Sequence, residues 1–188
     1  MRYLLCLIIG AALAYGYIYY YENATSHTDE TAVSHAGFAH YGKETVSSLS
    51  VNGSLTLDGT RIKGLLEVNG KLDAQDATIG SIDVNGSVHL ANCQVSGKTA
   101  VNGFFSATSS QFQDEITVSS QKVALNDSTA PSIVVRQIKW LPGTQTVELS
   151  HNSKIAGNIT FESGKGKVIL SDGSIVSGSV IGGEVENK

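Results

Sequence analysis

Cys93 and His89 are the first residues to examine for chemistry, because a thiol beside an imidazole base makes an activated nucleophile. They do not fit that role. The alternation Val88–His89–Leu90 turns the imidazole outward, and Cys93 falls in an inward column of small residues with no activating base nearby. His27, His35 and His40 with Asp29 and Glu30 offer metal-ligand types, but in a loose polar stretch without ligand spacing. Asp58, Asp73, Asp76 and Asp83 fall in different columns, which suits neither a calcium ladder nor a pair of glycosidase carboxylates. Stacked-coil acyltransferases also use a histidine, but they need a strict six-residue beat that is missing here. Asn23-Ala24-Thr25, Asn52-Gly53-Ser54, Asn85-Gly86-Ser87, Asn126-Asp127-Ser128 and Asn158-Ile159-Thr160 fit the glycosylation pattern, as expected by chance in so polar a chain. The sequence therefore points to no catalytic residue, no metal site and no cofactor.

The elements that would position these residues begin with an apolar segment. Tyr3–Tyr21 carries no charge, and as a helix it reaches roughly 28 Å, close to the thickness of a bilayer core. Tyr15, Tyr17, Tyr19, Tyr20 and Tyr21 crowd its far end, which suits anchorage at a membrane–water interface. Residues 1–21 are expected to form a transmembrane anchor or uncleaved signal. Cleavage after Ala12-Leu13-Ala14 is the rival, and it would leave a short leader and a tyrosine-rich mature end. Arg2 precedes the segment, whereas Glu22, Asp29 and Glu30 come after it. That asymmetry keeps the N-terminus cytoplasmic and exports the rest as a single-pass protein. Residues 22–45 are polar and without period, which reads as a flexible spacer.

Composition limits the partners. The net charge is -4 with 13 Lys and Arg and no basic run, which sets nucleic acid aside. Twenty glycines against two prolines suit strands and turns. Cys6 and Cys93 lie too far apart in the expected organisation to form a disulfide.

Val-Asn-Gly occurs four times, at Val51-Asn52-Gly53, Val68-Asn69-Gly70, Val84-Asn85-Gly86 and Val101-Asn102-Gly103, in steps of 17, 16 and 17 residues. Aligning the copies brings Leu55, Leu72, Val88 and Phe105 into one column, and Leu57, Ala74, Leu90 and Ala107 into a second. Ile62, Ile79, Val95 and Phe112 form a third, with Thr60, Ala77, Cys93 and Ser110 between. A fixed period with alternation of two is the signature of coils that bury their apolar faces on one another. Each Asn-Gly sits at a corner, the glycine accepting positive φ and the asparagine amides free to stack as a ladder. Two-residue hairpins are the competing reading, but the apolar set returns in phase after every copy.

The fold class is therefore all-β: a single-stranded β-solenoid, a parallel β-helix expected to be right-handed, preceded by one N-terminal transmembrane helix. Residues 46–136 hold the 16–17-residue coils, a degenerate fifth coil running from Ile116 to Arg136. Residues 137–146 interrupt the pattern around Trp140-Leu141-Pro142-Gly143. Residues 147–186 hold two longer coils, since Val147, Leu149, Ser153, Ile155, Gly157 and Ile159 recur 21 positions later as Val168, Leu170, Ser174, Val176, Gly178 and Val180. The total is about seven coils.

Ile155-Ala156-Gly157-Asn158-Ile159 and Val176-Ser177-Gly178-Ser179-Val180 resemble the apolar-x-Gly-x-apolar beat of bactofilins, polymer-forming bacterial β-helix proteins. The C-terminal part is also similar to adhesin-like β-helix repeats of exported bacterial proteins. The resemblance covers residues 46–183 and implies a scaffold that assembles end to end. The Val-Asn-Gly corners, the interruption and the expected export depart from that family. A structural envelope role with self-association is the leading expectation. The alternative is an adhesin-like or ligand-binding module that meets an envelope protein or glycan through a solenoid face or through Trp140, Leu141 and Pro142.

Overall fold

A computed structural model describes residues 33–139 and 143–188. The expected anchor over residues 1–21, its orientation and the loop residues Trp140, Leu141 and Pro142 lie outside the described residues. Among the described residues, no helix is long and apolar enough to cross a membrane.

The described chain is all strand and turn. It begins with β1 (Val33–Tyr41), β2 (Thr45–Val46), β3 (Leu49–Asp58), β4 (Arg61–Gln75) and β5 (Thr78–Ala91). It continues with β6 (Gln94–Val95), β7 (Thr99–Thr108), β8 (Gln111–Phe112), β9 (Ile116–Ser119), β10 (Lys122–Asn126), β11 (Thr129–Ala130) and β12 (Ile133–Val135). After the interruption come β13 (Gln145–Ser150), β14 (Lys154–Ile155), β15 (Ile159–Phe161), β16 (Gly166–Leu170), β17 (Ile175–Val176), β18 (Val180–Ile181) and β19 (Gly183–Asn187).

Every pairing is parallel and joins one turn of the chain to the next. The register of one column can be followed without a break through Ala39, Leu55, Leu72, Val88, Phe105, Val123, Val147, Val168 and Val185. The result is a parallel β-solenoid of about nine turns, with a column length on the order of 40 Å at the usual strand spacing. Three flanks repeat in each turn. The first contains Val51, Val68, Val84, Val101, Val118 and Val135, the second is the column just traced, and the third contains Val46, Ile62, Ile79, Val95, Phe112, Ala130, Ile155 and Val176.

The alternation of two explains the core. Leu55, Leu72, Val88, Phe105, Val123, Val147 and Val168 are essentially fully buried, while their neighbours Thr56, Asp73 and His89 face outward. Burying a Leu or Val of this size is worth about 1.5–3 kcal/mol. A single turn has no second apolar layer of its own, so that gain depends on the turns above and below.

Two boundaries move relative to the sequence reading. Val33–Tyr41 falls within the expected spacer, but β1 pairs with β3 residue for residue, Ala36 against Asn52 and Gly37 against Gly53. At the other end β19 pairs with β16 and adds a final rung. These two additions account for the rise from about seven turns to about nine.

Candidate functional site

The first corner, between the first and second flanks, carries the four Asn-Gly pairs. Asn69 Nδ2 donates to Asn52 Oδ1 at 3.0 Å, Asn85 Nδ2 to Asn69 Oδ1 at 3.0 Å, and Asn102 Nδ2 to Asn85 Oδ1 at 2.8 Å. The ladder has a direction: every amide donates toward the N-terminal turn. It stops where the register places Ala36 below Asn52 and Ser119 above Asn102. Inside it runs the glycine column Gly53, Gly70, Gly86 and Gly103, with φ of 144°, 142°, 145° and 139°. A Cβ on Gly70 would overlap the carbonyl oxygen of Gly53, and the same holds between Gly86 and Gly70. Glycine is therefore required twice over, by the backbone angle and by the approach of the turn beneath.

The second corner, between the second and third flanks, is built differently. After Gly59, its leading residue takes positive φ in four successive turns although it is not glycine: Asp76 54°, Asn92 54°, Ser109 49° and Asp127 48°. Asp and Asn tolerate the left-handed region because their side chains bond locally. Just inside lies a buried hydroxyl column. Cys93 N donates to Ser110 Oγ at 3.1 Å, Ser110 N to Ser128 Oγ at 3.0 Å, Ser128 N to Ser153 Oγ at 3.1 Å, and Ser153 N to Ser174 Oγ at 3.1 Å. Each of these hydroxyls except that of Ser174 in turn donates to a backbone carbonyl: Ser110 to Thr108, Ser128 to Asn126 and Ser153 to Ser150, all at 2.8 Å.

Cys93 is a sulfur member of this column. Its thiol donates to Ala91 O at 3.3 Å, the same two-residue step back that Ser110 makes. Burial pushes the thiol above its usual range, hydrogen bonds with the Ala77 and Ala91 backbone pull it part of the way back, and Asp76 adds to the rise. A thiol held protonated is a packing group. The sequence reading places Thr60, Ala77, Cys93 and Ser110 as small inward residues, and all four are buried. It misses the hydrogen bonding of Cys93 and Ser110, which becomes legible only once the neighbouring backbone N–H groups are seen to point along the rod.

The remaining chemistry-bearing residues stay dispersed. His89 faces outward and packs on Phe104 with ring centroids 5.1 Å apart. His40, Asp73 and His89 line one shallow depression on the second flank together with Asp58. His35 Nε2 meets Tyr41 Oη at 2.5 Å. Among the described residues, no group of three His, Cys, Asp or Glu side chains is placed to hold a metal ion.

A concavity lies where the asparagine ladder ends. From Gly103 upward the corner lengthens, and Ser119–Lys122 replaces the two-residue bend. One turn later the chain leaves the rod after Val135 and rejoins it at Gln145. Between these excursions is a groove of about 850 Å³ lined by Asn102, Phe104, Gln121, Lys122, Ile138 and Lys139 among others. Its walls are tied together. Buried Gln145 donates from Nε2 to Ser120 O at 3.0 Å and to Arg136 O at 2.7 Å. Arg136 N donates to Val118 O at 2.7 Å, and Thr146 N to Gln121 O at 2.8 Å. Ser120 Oγ donates to Lys122 O at 2.7 Å and accepts from Lys122 N at 3.1 Å, which locks the turn itself.

No family model, curated protein or solved structure matches the chain.

Proposed function

We propose that this chain is a non-enzymatic, membrane-anchored envelope protein whose exported β-solenoid, coiled in the right-handed sense, acts as a structural scaffold and assembles with further copies. The uncharged Tyr3–Tyr21 supports the anchor, and Arg2 ahead of it supports export of the residues beyond it. Support for the scaffold role comes from the way the rod is held. Apolar side chains, an amide ladder and a hydroxyl column all run between turns, so the stabilising contacts repeat along one axis.

The observation that carries the assembly reading is the last turn. Val176 and Val180 face inward yet are only half-buried, and Val185, also inward, is 49% exposed. Among the described residues no strand pairs on the outer side of β17, β18 or β19. Open strand edges beside uncovered core residues are a template for pairing with another chain. The test is electron microscopy of the full-length chain in detergent over a range of concentrations. Particles that lengthen with concentration in steps of one rod support the proposal. Single rods of constant length throughout contradict assembly.

A further inference from the structure

We infer that the groove at the end of the asparagine ladder is a binding site for a carboxylate-bearing polysaccharide. This goes beyond the scaffold role and does not depend on assembly.

Three features of the groove point to that ligand. The first is shape: it is concave and of the size that holds a small ligand, with the rings and stems of Phe104, Ile138 and the lysines as its apolar part. Phe104 is 39% exposed, and its ring is steadied by contact with His89. An exposed, supported aromatic ring offers an apolar platform at low entropy cost for the carbon face of a sugar.

The second is hydrogen bonding. Asn102 spends its Nδ2 on the ladder, which leaves Oδ1 as an acceptor with no amide above it. Gln121 and Gln137 bring exposed amides, and Ser119 brings a hydroxyl. A carboxamide presents donors and an acceptor on one planar group, which matches adjacent sugar hydroxyls.

The third is charge. Among the described residues the groove is lined by Lys122 and Lys139 and by no acidic residue, although the chain carries a net charge of -4 and Glu162 accepts from the backbone N–H of Gln137 at its edge. Lys122 is occupied by Glu148 at 2.9 Å. Lys139 has no carboxylate partner among the described residues, so its ammonium is free for a carboxylate on the ligand. A neutral glycan would leave that charge unused. The ties through Gln145, Ser120 and Thr146 fix the Ser119–Lys122 wall before any ligand arrives, which lowers the ordering cost of binding on that side.

The experiment is a binding titration of the full-length chain in detergent against polygalacturonate, with its methyl-esterified form and dextran as neutral probes. Polygalacturonate is expected to bind and both neutral polymers to bind more weakly. Phe104→Ala is expected to weaken binding about tenfold and Lys139→Glu about fivefold. Lys154→Glu, on the third flank, is expected to leave it unchanged. All these side chains are exposed, and unchanged circular dichroism confirms that the variants fold. Three results would each overturn the inference: no binding of polygalacturonate, equal binding by Phe104→Ala and the parent chain, or a loss for Lys154→Glu as large as for Lys139→Glu.

Discussion

The first and second corners of the rod behave differently along the same axis. At the first, the amide ladder spans four turns and ends abruptly, and everything above it is excursion: Ser119–Lys122, then a departure that begins after Val135, then residues 162–165. At the second, the buried hydroxyl column runs from Cys93 to Ser174 and passes the level of the interruption intact. An exposed ladder of side-chain amides requires identical corner geometry in each turn, so one inserted residue ends it. The inner column needs only a small polar atom beneath each backbone N–H, and a leading residue that accepts positive φ. The second corner thus keeps its column even where it gains a residue, Ser150–Ser153 against Asn126–Ser128, whereas the first loses its ladder, and the groove opens at the first.

The sharpest way to break this comparison is a methyl group. Gly70→Ala is expected to cost about 3 kcal/mol or more, because the backbone angle and the Gly53 carbonyl both oppose it. Gly164→Ala, in an excursion with open space around it, is expected to cost only about 1 kcal/mol. Urea unfolding followed by circular dichroism measures both. Equal costs would mean that the first corner is not stacked closely.

The inner column gives the next largest effect. Ser128→Ala removes the acceptor of the buried Ser110 N–H and is expected to cost about 1–3 kcal/mol. Cys93→Ser keeps a hydrogen-bonding atom in place and is expected to stay within about 1 kcal/mol of the parent. A larger loss for Cys93→Ser than for Ser128→Ala would deny the column its hydrogen-bonding role.

Ladder direction yields a smaller contrast. Asn69→Asp sets two acceptors face to face with Asn52 and is expected to cost about 1 kcal/mol at neutral pH. Asn52→Asp keeps its acceptor role toward Asn69 and is expected to cost almost nothing. At about pH 4 and below, the carboxyl introduced by Asn69→Asp gains a proton and donates again, so the difference should close.

The smallest effect is that of pH on Cys93. A thiol raised in the folded state binds its proton more tightly there than in the unfolded chain. The stability it contributes is therefore complete below the ordinary thiol range of about 8.5 and declines as pH rises through the folded value. Cys93→Ser should abolish that decline, and unfolding midpoints between pH 7 and pH 10 would show it.

The sequence made the Asn-Gly turns legible because one tripeptide fixed the corner and alternation fixed the inward columns, so Leu55, Leu72, Val88 and Phe105 fell into register at once. β1 was hidden because Ala36-Gly37 keeps the glycine of the corner but lacks its asparagine. The later turns were partly legible: Val147–Val168 and Ile155–Val176 pair as their spacing implied, whereas the 24-residue step from Val123 to Val147 conceals their common column. The groove was not legible, since its lining comes from three different turns and its shape depends on where the chain leaves the rod.

The in-register stacking of the first corner is tested most directly by cross-linking. With Cys6 and Cys93 replaced by serine, Ser54→Cys is paired with either Lys71→Cys or Ser87→Cys, and disulfide formation is followed by mass spectrometry. Ser54 and Lys71 occupy adjacent rungs, whereas Ser54 and Ser87 are two rungs apart. Rungs repeat every ~4.8 Å, within disulfide reach for one step and beyond it for two. Rapid closure of the first pair and none of the second is the result the stacked rod requires. Failure of the first pair, or equal closure of both, would contradict it.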